Sequence, residues 1–228
     1  MTQPGSSLSQ GNTGVSRPST TTIRRGRPVS QSTAPRLLIM GPQGSGKGTQ
    51  AARLAEHLGM PAISTGDLFR ANILLFTEFG VQAQSYINRG ELVPDYVTNA
   101  MLRDRLLKED VKGGFVLDGY PRTAGQVRDL DDMVAEFGWT LNGVIYLRVD
   151  TEAVTERMEH RAIVQGRSDD TPELIAKRLR IYAEQTAPLV DEYRERGLLV
   201  EVDAMGDVPE ITNRVLAGIG LNWLANTV

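Results

Sequence analysis

The segment Gly41-Pro42-Gln43-Gly44-Ser45-Gly46-Lys47-Gly48-Thr49 decides how the rest of the chain is read. It follows an apolar run, Arg36–Met40, that reads as a buried strand. It precedes Lys47–Leu58, where Ala51, Leu54, Ala55 and Leu58 recur at helical spacing. Glycines let a backbone curl until several N–H groups point into one concavity. The helix N-terminus adds the positive end of its dipole, and Lys47 can reach the outer phosphates of a nucleotide. The general pattern for such a loop is G-x-x-x-x-G-K-[ST]. Here Gly48 intervenes, and the hydroxyl comes one residue late, at Thr49.

Outside this loop, short apolar runs alternate with amphipathic stretches. Further strands are predicted at Met60–Ile63, Phe115–Leu117, Gly143–Val149 and Leu198–Val202. Helices are predicted to start near Asp67 and to cover 78–89, 95–108 (started by Pro94 and Asp95), 124–137, Thr151–His160, Pro172–Arg194 and Val208–Ile219. Strands alternating with helices imply an α/β fold, a parallel sheet covered on both faces. Ligands in such sheets bind beyond the carboxyl ends of the strands, where the glycine-rich loop falls and where Asp118 closes its strand. Arg148 is a charge inside an apolar strand and is read as a strand end or a surface ion pair.

Composition narrows the classes. The chain has 228 residues, 40% hydrophobic and 23% charged, which fits one globular domain. No window of about 18 apolar residues is present, so a membrane span is not expected. Cysteine is absent, which excludes disulfides, a thiol nucleophile and any cysteine-based zinc or iron–sulfur site. The net charge of −3 argues against a general nucleic-acid binder. Residues 1–34 hold four arginines and no acid, and thirteen of them are Ser or Thr. Subtracting that +4 leaves −7 for residues 35–228. A disordered tail is expected over 1–34, with an organelle transit peptide as the alternative. No apolar core for a secretory signal is visible, and a cytoplasmic location is expected.

The departure in the loop is itself informative. Gly44-x-Gly46-Lys47-Gly48-Thr49-Gln50 resembles the phosphate loop of the adenylate kinase branch of the nucleoside monophosphate kinases. Ser64-Thr65-Gly66-Asp67-Leu68-Phe69-Arg70 resembles that family's second motif, and Gly90-Glu91-Leu92-Val93-Pro94-Asp95 its third. Gly114-Phe115-Val116-Leu117-Asp118-Gly119-Tyr120-Pro121-Arg122-Thr123, with Gln126, resembles the fourth. Gly166-Arg167-Ser168-Asp169-Asp170 and Lys177-Arg178-Leu179 resemble the fifth. The motifs stand in order over 36–219. The resemblance implies a three-layer P-loop fold over 35–228 with a five-stranded parallel sheet, a helical AMP-binding insert at about 64–93 and a short lid at about 161–167.

It also implies a reaction, ATP + AMP to 2 ADP, with magnesium accompanying ATP and serving adenine nucleotide homeostasis. Joining two polyanions needs alignment and positive charge. The acceptor phosphate is largely ionised at neutral pH, its second pKa being about 6, so no general base is needed. His57 and His160 are accordingly expected at the surface. By the resemblance, Gly44, Ser45, Gly46, Lys47, Gly48 and Thr49 hold ATP phosphates, and Gly206 lies by its base. Arg157 and Arg161, one helical turn apart, contact ATP from the lid. Arg70 and Arg122 clamp the AMP phosphate, and Arg167 and Arg178 bridge the two substrates. Lys47, Arg122, Arg161, Arg167 and Arg178 form the catalytic set. Thr65 and Gln126 read adenine, while the backbone of Glu91, Leu92 and Val93, together with Gly119, Tyr120 and Pro121, completes the AMP pocket. Asp118 and Asp67 hold Mg²⁺ through water; for Asp67, a helix N-cap or dipole partner is the simpler role.

Only Ala162–Gln165 separate Arg161 from Gly166, which resembles the short-lid form, with no structural zinc. Pro42 and Gln43 depart from the family pattern. Pro42 removes a backbone donor, and Gln43 is expected to face solvent rather than add a contact. Two alternatives stand beside the main reading: a sister enzyme acting on UMP or CMP, and a nucleotide-binding regulator without turnover. The partners implied are ATP, AMP and ADP, with no nucleic acid, no membrane and a monomeric chain.

Overall fold

A computed structural model describes Met1 and residues 34–150, 152–158 and 171–225, with backbone alone for 221–225. The tail expected over 1–34 and the lid expected over 161–167, with Arg161, Arg167 and His160, lie outside the described residues. No described helix is long and apolar enough to cross a membrane.

Five strands form one parallel sheet: β1 Arg36–Met40, β2 Ala62–Ser64, β3 Phe115–Asp118, β4 Gly143–Arg148 and β5 Leu199–Asp203, in the order β2-β3-β1-β4-β5. In register, Leu38 pairs with Leu117 on one side and Val144 on the other. Alternation along the strands sorts their side chains into two cores. Leu38, Met40, Leu117 and Val144 face α4 Asp95–Leu106, α5 Ala124–Glu136 and α8 Leu189–Glu195, where Leu102, Val127, Leu130 and Tyr193 complete the cluster. Leu37, Ile39, Ile145 and Val202 face α1 Lys47–Leu58 and α9 Val208–Ala225 through Leu54, Ile211 and Val215. Burial on both faces explains the unbroken apolar runs of β1 and β4. It also gives the three layers, the α/β architecture read from the sequence.

Helices α2 Thr65–Leu74 and α3 Glu78–Asn88 extend from the end of β2 and pack with α4 around Ala83, Val93, Val97 and Met101. The cap of α2 is Ser64, whose side chain accepts from Asp67 N–H, so Asp67 is a first-turn acid rather than the cap. α2 and α3 pack backbone to backbone: a Cβ on Gly80 would lie 2.2 Å from the Asn72 carbonyl oxygen. Helix α6 covers 152–158.

Several boundaries differ from the reading above. The helix predicted over Pro172–Arg194 is broken into α7 Pro172–Ile181, a π-turn at Tyr182–Thr186, and α8. Pro188 lacks an N–H, and its ring crowds the preceding turn. The wider turn absorbs this with an Ala187 N–H to Tyr182 carbonyl bond of 2.9 Å. Leu58, at helical spacing with buried Ala51, Leu54 and Ala55, is itself exposed at the end of α1. Arg148 is the exposed last residue of β4, 4.0 Å from Glu201.

The turn between α2 and α3 is costly. Phe76 has φ 51°, the one positive value at a non-glycine among the described residues, and it is 83% exposed beside exposed Leu74 and Leu75. A left-handed conformation at such a residue costs about 1–2 kcal/mol. Phe76→Gly should therefore stabilise the fold by about 1 kcal/mol, a rise of about 2–4 °C in Tm by thermal melt. An unchanged or lower Tm would show that Phe76 makes compensating contacts.

Candidate active site

One cleft of about 1140 Å³ opens beyond the carboxyl ends of β1, β2 and β3. Its floor at one end is the loop 43–49. Gly41 (φ 146°) and Gly44 (φ 81°) are required there, since a Cβ would come within 2.9 Å of the Leu147 carbonyl and 2.7 Å of the Val154 carbonyl respectively. Gly46 enters α1 from the left-handed region. Lys47 folds back over the loop, its Nζ donating to the carbonyls of Gly41 (2.8 Å) and Pro42 (2.7 Å). Ser45 Oγ and Gln43 Oε1 are buried with no hydrogen-bond partner among the described residues. Gln43 thus turns inward and lines the cleft, against the expectation that it faces solvent.

Asp118 ends β3 at the centre of the cleft. Burial pushes its carboxyl above the ordinary value of 3.8, opposed by Lys47, Arg122 and Arg70 and reinforced by Asp67. The next residue, Gly119, is a junction. Its carbonyl accepts from Thr65 Oγ1 at 3.0 Å and from Arg122 Nε at 2.8 Å. A Cβ there would lie 2.6 Å from Thr65 Oγ1 and 3.2 Å from Arg122 Nη2. Burial lowers the Arg122 guanidinium, Asp118 offsets this, and Arg178 lowers it further, so two guanidiniums share one neighbourhood. Thr186, in the π-turn, donates to the Arg122 carbonyl at 2.9 Å.

The far end is walled by the insert. Ser64, Thr65, Phe69, Arg70, Ile73, Ile87, Glu91, Leu92, Val93 and Gln126 line it. Gln126 is 2% exposed. Its Oε1 accepts from Arg122 N–H at 2.8 Å, and its Nε2 donates to Asp95 Oδ1 at 2.7 Å. Arg70 is paired with Asp67. Glu91 accepts from Lys177 and Arg89, each at 2.9 Å, and these bonds hold its carboxyl below the ordinary carboxylate value. Arg157 donates to the Ala204 carbonyl at 3.2 Å and, with Gly206, borders the loop side.

The family model described as adenylate kinase matches residues 39–198. The adenylate kinase of Bifidobacterium longum is 57% identical over 182 residues, covering 80% of this chain and 98% of that protein. That of Kocuria rhizophila is 54% identical over 184 residues, 81% and 98% of the two chains. That of a Nocardioides species is 51% identical over 184 residues, 81% and 96%.

The chain belongs to the adenylate kinase family.

Of the residues that the resemblance to this family singled out, the cleft brings together the loop 44–49, Thr65, Asp67, Arg70, Glu91, Leu92, Val93, Asp118, Gly119, Arg122, Gln126, Arg157, Arg178 and Gly206. Tyr120 and Pro121 do not line it. Tyr120 is 1% exposed in the core beneath, its hydroxyl donating to Asn99 Oδ1 at 2.6 Å, and Pro121 borders a small adjoining recess. His57 is exposed and is not among the lining residues. Sequence reasoning missed the apolar wall of Ile73 and Ile87 and the support from Thr186 and Asp95. The helical spacing of Phe69 and Ile73 is the signal that could have found the wall.

The charge at Asp118 works against the folded state. Its carboxyl titrates above 3.8, so the cost is present at neutral pH and fades as pH falls toward 3.8. Asp118→Asn should raise Tm at neutral pH in the absence of nucleotide, with the gap to wild type closing as pH falls from neutral toward 3.8. Thermal melts across that range test this; a constant gap would show that ionisation is not its cause.

Proposed function

We propose that this enzyme transfers a phosphoryl group from ATP to AMP, giving two ADP, and so balances adenine nucleotides. The observation that carries the reading is the meeting of three elements in one cleft. A lysine-bearing phosphate loop occupies one end, buried Thr65 and Gln126 the other, and Arg122 and Arg178 share the space between.

The transfer passes through a state with charge spread over the equatorial oxygens of the moving group. Lys47 leaves the Gly41 and Pro42 carbonyls for the phosphates, a short swing that keeps it at the loop. Arg122 and Arg178 hold charge on both sides of the moving group, and guanidinium forks match phosphate oxygens in pairs. The same reading assigns Arg70 to the AMP phosphate, Arg157 to ATP, and Arg161 and Arg167 to a lid that excludes competing water. Phe69, Ile73 and Ile87 offer an apolar face for the acceptor base, with Gln126 at its edge.

ATP is read as entering with magnesium. Asp118 and Asp67 fit an ion that keeps most of its own water: their charges act on each other, and cations border them. The ion supplies charge withdrawal from the phosphate oxygens. The same reading takes a single chain as the working unit.

A coupled assay for ADP, with ATP and a panel of AMP, UMP, CMP and GMP, tests the reading. AMP should be the preferred acceptor by a wide margin. Preference for UMP or CMP would move the chain to a sister activity, and no ADP from any acceptor would leave a nucleotide binder. Lys47→Ala and Arg122→Ala should each lower kcat by about 10³ or more with unchanged circular dichroism. Near-normal turnover in either would remove the mechanism. A chain lacking residues 1–34 should turn over at the full rate in the same assay.

A further inference from the structure

We infer that Asp95 is a specificity-determining residue: it locks Gln126 in the one orientation that matches a 6-amino purine and mismatches a 6-oxo purine. The inference rests on the proposed function, since it concerns the acceptor base. Asp95 itself is not among the residues lining the cleft. It acts through a neighbour and is a positioning residue.

A glutamine side chain is ambiguous by nature. Its carboxamide carries two N–H donors on one atom and two acceptor lone pairs on the other, and a half-turn exchanges them. Left free, Gln126 would serve either purine type. Here both ends are committed. Nε2 donates to Asp95 Oδ1 at 2.7 Å, and a carboxylate oxygen can only accept. Oε1 accepts from the Arg122 backbone N–H at 2.8 Å, which can only donate. A flipped amide would set acceptor against acceptor at Asp95 and donor against donor at Arg122, inside a site where Gln126 is 2% exposed and water cannot repair the mismatch.

The second carboxylate oxygen tightens the lock. Asp95 Oδ2 accepts from Thr123 Oγ1 at 3.0 Å, and the same hydroxyl accepts from the Gln126 backbone N–H at 3.1 Å as the cap of α5. Asp95 therefore holds the backbone and the side chain of Gln126 together. The approach is built in: a Cβ on Gly125 would lie 2.9 Å from Asp95 Oδ2.

What remains to Gln126 is one N–H and one lone pair. An adenine edge offers an acceptor at N1 and a donor at the 6-amino group, which complements that pair. A hypoxanthine edge offers a donor at N1 and an acceptor at the 6-oxo group, which would need the forbidden flip.

The test compares AMP with inosine monophosphate, which differ at this edge alone. Wild-type enzyme should favour AMP in kcat/KM by about 100-fold or more. Asp95→Asn can donate as well as accept, so it should lower that ratio about tenfold or more. The change should lie in KM for the monophosphate, with KM for ATP unmoved. Gly125→Ala, which suits a helix but displaces Oδ2, should shift the ratio the same way. A merely structural Asp95, acting as a first-turn acid of α4, would change both substrates equally or only Tm. Equal effects on the two acceptors, an unchanged ratio in a folded variant, or a wild type indifferent to the base would each overturn the inference. Failure of wild type to use AMP at all would instead overturn the proposed function.

Discussion

Cations held at one rim by main-chain carbonyls are the constraint on which the rest of this molecule depends. Lys47 rests on the carbonyls of Gly41 and Pro42 after β1, Arg122 on that of Gly119 after β3, and Arg157 on that of Ala204 after β5. A parallel sheet brings the carboxyl ends of its strands to one edge, so each post-strand loop can contribute one anchored charge. Anchoring fixes these charges in place, with the Asp118 carboxylate among Lys47, Arg122 and Arg70. Arg178 lies near enough to Arg122 to lower its guanidinium further. Two polyanions entering such a rim exchange repulsion between themselves for attraction to fixed charge, and little reorganisation is left to the reaction itself.

The two-faced sheet makes this rim rigid. Leu37 and Ile39 are locked against α1 and α9, and Leu38 and Met40 against α4, α5 and α8. The insert of α2 and α3 is a different kind of element. Its own core is small, its helices meet backbone to backbone at Gly80, and its outer turn carries the strained Phe76. It brings to the cleft the apolar wall of Phe69, Ile73 and Ile87, the Thr65 hydroxyl and the Arg70–Asp67 pair, while Lys47 and Arg122 follow the sheet's strands.

Much of this was legible in the chain. Apolar runs such as Arg36–Met40 and Phe115–Leu117 announce buried strands because both faces are covered, and the glycine pattern before Lys47 allows few loop shapes. The parts that escaped depend on contacts between distant residues. A periodic, charged stretch over Pro172–Arg194 reads as one helix, because periodicity does not register the wide turn that Pro188 imposes or the hydroxyl that this turn delivers to Arg122. Polarity sends Gln43 to the surface in any one-residue reading, whereas the loop's curl draws it inward. Asp95 carries a helix-start signal that hides its second task, visible only when α4 and α5 lie side by side. Helical spacing could have shown the Phe69 and Ile73 wall, but it does not distinguish a face buried in a core from one bordering a cleft.

Asp118 makes the balance between stability and chemistry explicit. A carboxylate at the end of an apolar strand loses hydration, and burial outweighs the attraction of Lys47, Arg122 and Arg70 together. The fold is less stable for holding it ionised. Yet the low-dielectric surroundings that impose this cost also strengthen every interaction between Asp118 and the charges around it. A solvated carboxylate would cost less and interact more weakly with the same charges. The sheet's two hydrophobic layers supply the stability that lets this one charge remain in an unfavourable place beside the cleft.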